Sequence, residues 1–289
     1  MNFEIITDSS ANLPDEVIRE AGIRIASLTF LVDGVEYRSY DEGVKSDLGR
    51  FYEMMRNGKV IQTSLVNTGQ FVQIMEPLLK EGKDILYIGF SSALSGTYQS
   101  AVTAAELLKE DYPERRIVTV DSLSASLGQG LLVWSAAQKR KAGSSLEETA
   151  EWVKENRLRM RHHFTVDDLM FLKRGGRISA TSAMLGTMLN IKPTLKMDDE
   201  GRLAVIGKVR GRRHSLKGLV DELREHAVDI EDQTIAISHG DCLDEARYVE
   251  EQIRSFCQPR DILINIIDPV IGAHSGPGTM ALFFLGQHR

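Results

Sequence analysis

Hydroxyl-bearing residues are concentrated at the ends of apolar, strand-like runs of this chain. The four segments rich in Ser and Thr are 7–10, 62–64, 91–97 and 121–126. Each lies ahead of a segment with a helical pattern. Hydroxyls and free backbone N–H groups at helix N-termini bind anions such as carboxylate or phosphate. Helix capping is the ordinary role of such residues in any single loop. Several of these loops at one sheet edge favour an anion site.

One histidine, His274, lies in the glycine-rich segment 272–278. Glycine lets the backbone approach a ligand closely, and an imidazole there could donate a hydrogen bond to an anion. A histidine held by backbone groups within a tight loop is the alternative. His162 and His163 are adjacent and point in opposite directions on a strand, and His239 has no second ligand at metal spacing. We therefore predict no metal site.

Several common catalytic motifs are missing from the sequence. Gly128 and Gly130 lack the third glycine of a dinucleotide-binding GxGxxG motif, and no GxxxxGK[ST] motif of a P-loop occurs. The segment 89–93 departs from the GxSxG nucleophile elbow at its last position. The serines are therefore predicted to be ligand donors and not nucleophiles.

Basic residues form two clusters that include glycine turns. They are Lys173, Arg174 and Arg177, and then Lys208, Arg210, Arg212 and Arg213. Solvated surfaces are the usual explanation of such clusters, although guanidinium groups on turns can also bind phosphate.

A further apolar pattern involves two methionines. Met184 and Met188 recur on one helical face with neighbouring leucines, in a segment opened by Ser179 or Thr181. Such a face packs into a core, or its thioethers form an adaptable wall for a flexible apolar ligand.

Repeated strand–loop–helix units must position the hydroxyl loops of the first half. The strand-like runs 3–7, 84–90 and 116–120 precede helices at Pro14, 96–110 and 127–141, and a polar helix follows at 145–158. This alternation predicts an α/β fold with a three-layer N-terminal domain, in which helices cover a mainly parallel sheet. Ligands bind such sheets beyond the carboxyl ends of the strands.

The second half has a different pattern. Runs 191–197 and 203–209 flank the turn 198–201 and predict a hairpin. Helices at 215–226 and 243–256 alternate with strands at 234–238, 262–267 and 280–285, and segment 270–279 is predicted to be a loop. We predict a C-terminal α+β domain with a largely antiparallel sheet. The expected domains are 1–160 and 161–289.

Composition narrows the class of protein. The 289 residues include 35 basic and 41 acidic side chains, and the net charge of −6 argues against a surface built for nucleic acid. Cys242 and Cys257 are far apart and indicate no disulfide framework. Neither a secretory signal nor a segment apolar enough for stable membrane insertion is recognised. We predict a cytoplasmic protein.

Six motifs extend over most of the chain: ITDSSANLP (6–14), QTSLVNTGQF (62–71), GFSSALSGTYQSA (89–101), VDSLSASLGQG (120–130), LKRGGRIS (172–179) and IGAHSGPG (271–278). Together they resemble the DegV family of bacterial fatty-acid-binding proteins. The resemblance implies a long-chain fatty acid held between two domains, with no other cofactor. It also implies a non-catalytic, acyl-carrying subunit of a two-component kinase, whose separate ATP-binding partner converts the bound carboxylate to an acyl phosphate.

The resemblance also implies roles for individual residues. The carboxylate contacts of the family fall on Thr63, on Ser91 or Ser92, and on His274. Arg210 matches an arginine that the family associates with the kinase reaction and docking. The resemblance also suggests roles for the first basic cluster and for the two methionines. Candidates for docking or phosphate binding are Lys173, Arg174 and Arg177. Candidates for contact with the acyl chain are Met184 and Met188.

The chain departs from the family in the segment after Thr63. Leu65, Val66 and Asn67 follow Ser64 where the family usually has Gln, Pro and Ser. Thr63 and Ser64 are kept, but the departure affects the rigidity of the loop and the preference for particular acyl chains.

Two other functions compete with this interpretation. A stand-alone enzyme acting on a small carboxylate or phosphate ester would use His274 as general acid or base. A nucleic-acid-binding regulator would use the clusters 173–177 and 208–213. The net charge of −6 makes this regulator less favoured than the stand-alone enzyme.

Overall fold

The computed structural model describes residues 3–44, 46–178 and 190–289. In the first half its elements are β1 (Phe3–Asp8), α1 (Asp15–Ala21), β2 (Ile23–Ala26), β3 (Thr29–Val32), β4 (Val35–Arg38), α2 (Leu48–Arg56), β5 (Ile61–Ser64), α3 (Thr68–Lys80), β6 (Asp84–Gly89), α4 (Thr97–Asp111), β7 (Ile117–Asp121), α5 (Ser126–Ala142) and α6 (Leu146–Asn156). In the second half they are β8 (Met160–Thr165), α7 (Met170–Arg174), β9 (Ile191–Met197), β10 (Leu203–Arg210), α8 (Arg212–His226), β11 (Thr234–His239), α9 (Leu243–Arg254), β12 (Asp261–Ile266), α10 (Pro269–Ser275) and β13 (Met280–Leu285).

The first half contains a parallel sheet with strand order β2-β1-β6-β7. Every residue of β6 is buried, as expected of a strand with both faces covered. Leu86 and Ile88 pack into one core with residues of α5 and α6, whereas Ile85 and Tyr87 pack into another with residues of α3 and α4. The prediction of a mainly parallel, three-layer arrangement is confirmed.

The second half contains a six-stranded sheet with strand order β10-β9-β8-β13-β11-β12. Its neighbouring strands are antiparallel except for the parallel pair β11 and β12. The predicted hairpin is present as β9 and β10, with Gly201 at positive φ in its turn. A largely antiparallel sheet is therefore confirmed.

A third, three-stranded antiparallel sheet was not predicted. Its strand order is β4-β3-β5, and each strand has only four residues. Runs this short carry little periodicity, so no strand was assigned between residues 29 and 64. This sheet positions Thr63, which pairs with Phe30 in β3.

Segment 270–279 was predicted to be a loop, and that prediction is wrong for its first part. Residues Pro269–Ser275 form α10, with Pro269 at its start and the Asp268 carboxylate accepting from the N–H groups of Val270 and Ile271. Asp followed by Pro is a helix-start signal, and the loop prediction rested on the glycines of the segment without taking that signal into account. His274 therefore lies in the last turn of a helix.

A polar seam joins the two halves. The N–H of Asp268 donates to Oδ1 of Asn12 over 2.9 Å, and Nδ2 of Asn265 donates to the carbonyl of Asn12 over 2.8 Å. The hydroxyl of Ser39 donates to Asp268 over 3.0 Å. The division into domains 1–160 and 161–289 stays a prediction, and β8 begins at Met160 as part of the six-stranded sheet.

Candidate ligand-binding site

A cavity lies where the loops of the parallel sheet meet α10 and the six-stranded sheet. Its volume is about 210 Å³, whereas a single water needs only about 10–15 Å³ of such space. The walls are mostly apolar and come from both halves of the chain. They include Phe90, Leu94, Phe164, Met197, Val270 and Phe283. A cavity of this kind suits an organic ligand with a large apolar part.

Polar side chains from three elements line the cavity. Oγ1 of Thr63 lies 2.8 Å from Nε2 of His274, although 211 positions separate the two residues in sequence. Ser95, in the loop ahead of α4, also lines the cavity. Its hydroxyl oxygen accepts from the N–H of Thr97 over 3.2 Å. Three elements that are distant in sequence thus bring two hydroxyls and an imidazole to one cavity.

The imidazole of His274 is neutral at physiological pH. Burial, and secondarily the positive charge of Arg177, lowers the pKa of His274 to about 4. Gly175 allows the ring to lie where it does, because a Cβ on this glycine would be 2.1 Å from Nδ1 of His274. The LKRGGRIS segment therefore supplies a close backbone approach to the histidine.

Arg177 contributes a positive charge to the cavity wall. Its guanidinium donates to the carbonyls of Leu94, over 3.2 Å, and of Gly175. Burial lowers the pKa of Arg177, but a guanidinium remains charged at neutral pH. An anion bound near His274 would therefore have a cation nearby.

A second, more polar cleft shares Thr63, Arg177 and His274 with the apolar cavity. Its other walls include Lys59, Gln62, Arg174 and Phe171. The Thr63 and His274 pair thus borders both spaces. A ligand with its tail in the apolar cavity can place an acidic head group at this boundary and within reach of the polar cleft.

The structure does not bring Ser91 or Ser92 to the cavity. Ser91 is fully buried, and its hydroxyl donates to the carbonyl of Gly201 over 2.8 Å. Ser92 is exposed, and its N–H faces the carboxylate of Asp121. The double-serine loop instead contributes Ser95, which follows a turn closed by a hydrogen bond from the N–H of Leu94 to the carbonyl of Ser91. We therefore do not place Ser91 or Ser92 among the ligand contacts.

The segment 7–10 does not line the cavity either. Asp8 is fully buried, and its carboxylate accepts from the hydroxyl of Tyr87 over 2.7 Å and from the N–H of Phe90 over 2.9 Å. Nε2 of Gln129 donates to the same carboxylate over 3.2 Å. The ITDSSANLP and VDSLSASLGQG motifs thus bind each other and hold β1, β6 and α5 together.

The basic residues take different positions. Arg177 lines the cavity, and Arg174 lines the polar cleft with its guanidinium 4.7 Å from the ring centroid of Phe171. Lys173 is half-buried at the end of α7. Arg210 is exposed at the end of edge strand β10 and lines neither space. Met184 and Met188 lie outside the described residues.

Two site features were missed by the sequence interpretation. Ser95 immediately precedes Gly96 and α4, and this position ahead of a helix is the signal that could have distinguished it from Ser91 and Ser92. Arg177 was assigned to a docking surface, but the turn at Gly175 and Gly176 directs it to the cavity wall.

Two kinds of site are absent from the residues that the structure describes. No group of three or more His, Cys, Asp or Glu side chains there could hold a metal ion. None of the helices in that part of the chain has the length and apolar character needed to cross a membrane.

Comparison with known protein families decides the assignment. The model of the DegV family, described as an uncharacterised protein family, matches residues 2–287. A DegV domain-containing protein of Clostridium perfringens is 46% identical over 289 residues, and the match covers 99% of this chain and 98% of that protein. The chain belongs to the DegV family.

Solved structures of DegV proteins share the fold over its whole length. A DegV family protein from Thermus thermophilus, described as fatty-acid-binding, has a TM-score of 0.89 and 30% identity, and the match covers 99% of this chain and 100% of that one. DegV of Bacillus subtilis, described as a fatty acid binding protein, has a TM-score of 0.84 and 28% identity, with 99% and 100% covered. The DegV fold thus includes β5 and α10, which carry Thr63 and His274.

Proposed function

We propose that this chain binds one long-chain fatty acid, with its tail in the apolar cavity and its carboxylate at Thr63, Ser95 and His274. The observation that carries the proposal is the apolar cavity bordered by the 2.8 Å contact between Thr63 and His274. DegV proteins of the same fold that are described as fatty-acid-binding support it.

The two parts of the site match the two parts of such a ligand. Burial of an acyl chain of about sixteen carbons contributes a gross ~12 kcal/mol, at ~0.8 kcal/mol per methylene, before the costs of ordering. A carboxylate buried without donors costs several kcal/mol. The hydroxyls of Thr63 and Ser95 and the charge of Arg177 offset that cost.

We further propose that the chain is not catalytic alone and presents the bound carboxylate to a separate ATP-dependent kinase subunit. In that reaction a carboxylate oxygen attacks the γ-phosphorus of ATP, the bond to the bridging oxygen of ADP breaks, and an acyl phosphate forms. The polar cleft beyond Thr63 and His274 gives the partner a route to the carboxylate. Arg174 in the cleft, with Lys173 and Arg210 outside it, supplies positive charge for docking.

We also propose that the protein is cytoplasmic. The fatty acid is held between domains 1–160 and 161–289. The two cysteines are both free, which suits a reducing compartment. The cavity walls come from both sides of residue 160, as an interdomain ligand requires.

Titration of the delipidated chain with hexadecanoate tests the binding site. We expect wild type to bind one equivalent, and Thr63→Val or Ser95→Ala to weaken binding about tenfold, because each loses a hydrogen bond to a charged group. Ser92→Ala is the matched control and should bind as wild type does. No binding by wild type would contradict the proposed ligand. Unchanged affinity in both site variants would contradict the head-group position.

Acyl phosphate trapping with hydroxylamine tests the requirement for a partner. The chain with ATP and hexadecanoate should form no hydroxamate, and addition of an ATP-dependent fatty acid kinase subunit should restore formation. Product formed by the chain alone would contradict the carrier role and would favour the stand-alone enzyme.

A further inference from the structure

The hairpin of β9 and β10 is held against the first half of the molecule by Ser91, which does not reach the cavity. Ser91 follows β6, and its hydroxyl donates to the carbonyl of Gly201 in the hairpin turn over 2.8 Å. Ser91 is fully buried, so water cannot replace this partner. Loss of the Ser91 hydroxyl would leave the carbonyl of Gly201 without this hydrogen-bond donor.

Arg289 makes a second attachment to the same turn. Arg289 is 9% exposed, and its guanidinium donates to acceptors from three separate segments. They are the carbonyl of Asp198 (2.8 Å) in the turn, the carbonyl of Leu123 (2.7 Å) and the hydroxyl of Ser124 (3.1 Å) after β7, and the carbonyls of Arg157 (2.8 Å) and Met160 (3.1 Å) before and in β8. Only arginine has five N–H donors in one planar group.

The turn fits its neighbours without spare space. Gly201 has a φ of +75°, and a Cβ there would lie 2.3 Å from Oγ of Ser91 and 3.1 Å from Cα of Leu123. The N–H of Ser91 also donates to the carbonyl of Ser124 over 3.0 Å, so the two loops that receive the turn are themselves joined.

The two strand residues nearest this turn form part of the cavity wall. Met197 at the end of β9 pairs with Leu203 at the start of β10, and both line the cavity. Met197 is buried in a cluster with Phe90, Leu94 and Ala125 of the first half. Movement of the turn away from Ser91 would therefore pull this wall away from the cavity.

We propose that Ser91 and Arg289 clamp the hairpin turn 198–201 onto the loops after β6 and β7, and that release of this clamp sets the rate at which ligand leaves the cavity. The ligand-exchange part rests on the proposed function. Both residues act through Met197 and Leu203, so they are positioning residues that do not contact the ligand.

Two measurements on the full-length chain test this proposal. The first is the dissociation rate of a fluorescent long-chain fatty acid, followed at a temperature well below unfolding. Ser91→Ala and Arg289→Ala should each raise the rate about tenfold, the effect of losing a buried hydrogen bond. Gly201→Ala should raise it as well, because the added methyl displaces the turn. The second measurement is amide hydrogen exchange, in which residues 195–205 should lose protection in the same variants.

Ser92→Ala and Arg202→Ala are the controls, since both side chains are exposed beside the clamp. They should leave the dissociation rate and the exchange of 195–205 unchanged. Lower thermal stability with an unchanged dissociation rate in Ser91→Ala and Arg289→Ala would overturn the proposal, because a purely structural role predicts that result. Unchanged exchange of 195–205 would overturn the clamp itself. A wild type that binds no fatty acid would overturn the proposed function, while loss of protection in the variants would still support the clamp.

Discussion

At the scale of single residues, the site depends on a histidine that burial keeps neutral. His274 is half-buried beside a hydroxyl and a guanidinium, and its pKa is lowered to about 4. A carboxylate bound at Thr63 would place a negative charge next to the ring. An opposite charge favours the protonated imidazole and therefore raises its pKa.

Binding of a fatty acid should therefore be accompanied by proton uptake. The pKa of His274 is about 4 in the free protein and higher in the complex. At pH values between the two, the complex holds more protons than the free protein. Affinity for the fatty acid therefore rises as pH falls through this window. Calorimetry in two buffers of different ionisation enthalpy, repeated at several pH values across this window, measures the uptake. His274→Gln should abolish it, and equal heats for wild type in both buffers would contradict the prediction.

Sequence reasoning identified part of the residue constellation. The hydroxyl loops and the glycine-rich histidine segment indicated an anion site, and the structure brings Thr63 and His274 together. Sequence reasoning could not show which serine of the loop 91–97 contacts the ligand. The fold of the loop decides that Ser95 lines the cavity while Ser91 donates to Gly201. Such choices depend on tertiary contacts over more than a hundred residues.

At the scale of elements, long periodic segments were predictable and short ones were not. The βα units and the β9–β10 hairpin follow from hydrophobic periodicity and turn residues. The four-residue strands β3, β4 and β5 and the seven-residue helix α10 were not identified, yet β5 and α10 carry Thr63 and His274. The site is therefore built on the elements with the weakest sequence signal.

The end of α7 is predicted to control the position of His274. Gly175→Ala should displace the imidazole and weaken hexadecanoate binding at least tenfold, because the new Cβ would lie 2.1 Å from Nδ1 of His274. Gly218→Ala in α8 is the matched control, since a Cβ there meets nothing within 4 Å. It should bind as wild type does. Equal affinities for the two alanine variants would contradict a close approach at Gly175.

At the scale of the whole molecule, the cavity couples its two halves. Its walls come from loops of the first half and from the six-stranded sheet and α10 of the second half. The polar seam at Asn12 and Asp268 and the clamp at Ser91 and Arg289 hold those halves together. A ligand that fills the cavity binds the folded chain but not the unfolded chain. Its binding therefore stabilises the fold by mass action.

Hexadecanoate at about 100 times its dissociation constant should stabilise the chain by about 2.7 kcal/mol. For a protein of this size the melting temperature should rise by several degrees. Differential scanning calorimetry of the delipidated chain with and without hexadecanoate measures the shift, and octane, which lacks a carboxylate, is the control. An equal shift with octane would contradict a role for the polar wall.

The central claim is that the cavity holds a fatty acid. The most direct test is native mass spectrometry of the gently purified chain, followed by organic extraction and identification of the released lipid. We predict one long-chain fatty acid per chain, with occupancy reduced in Thr63→Val and retained in Ser92→Ala. A chain that carries no fatty acid, and that takes up none when hexadecanoate is supplied, would contradict the account.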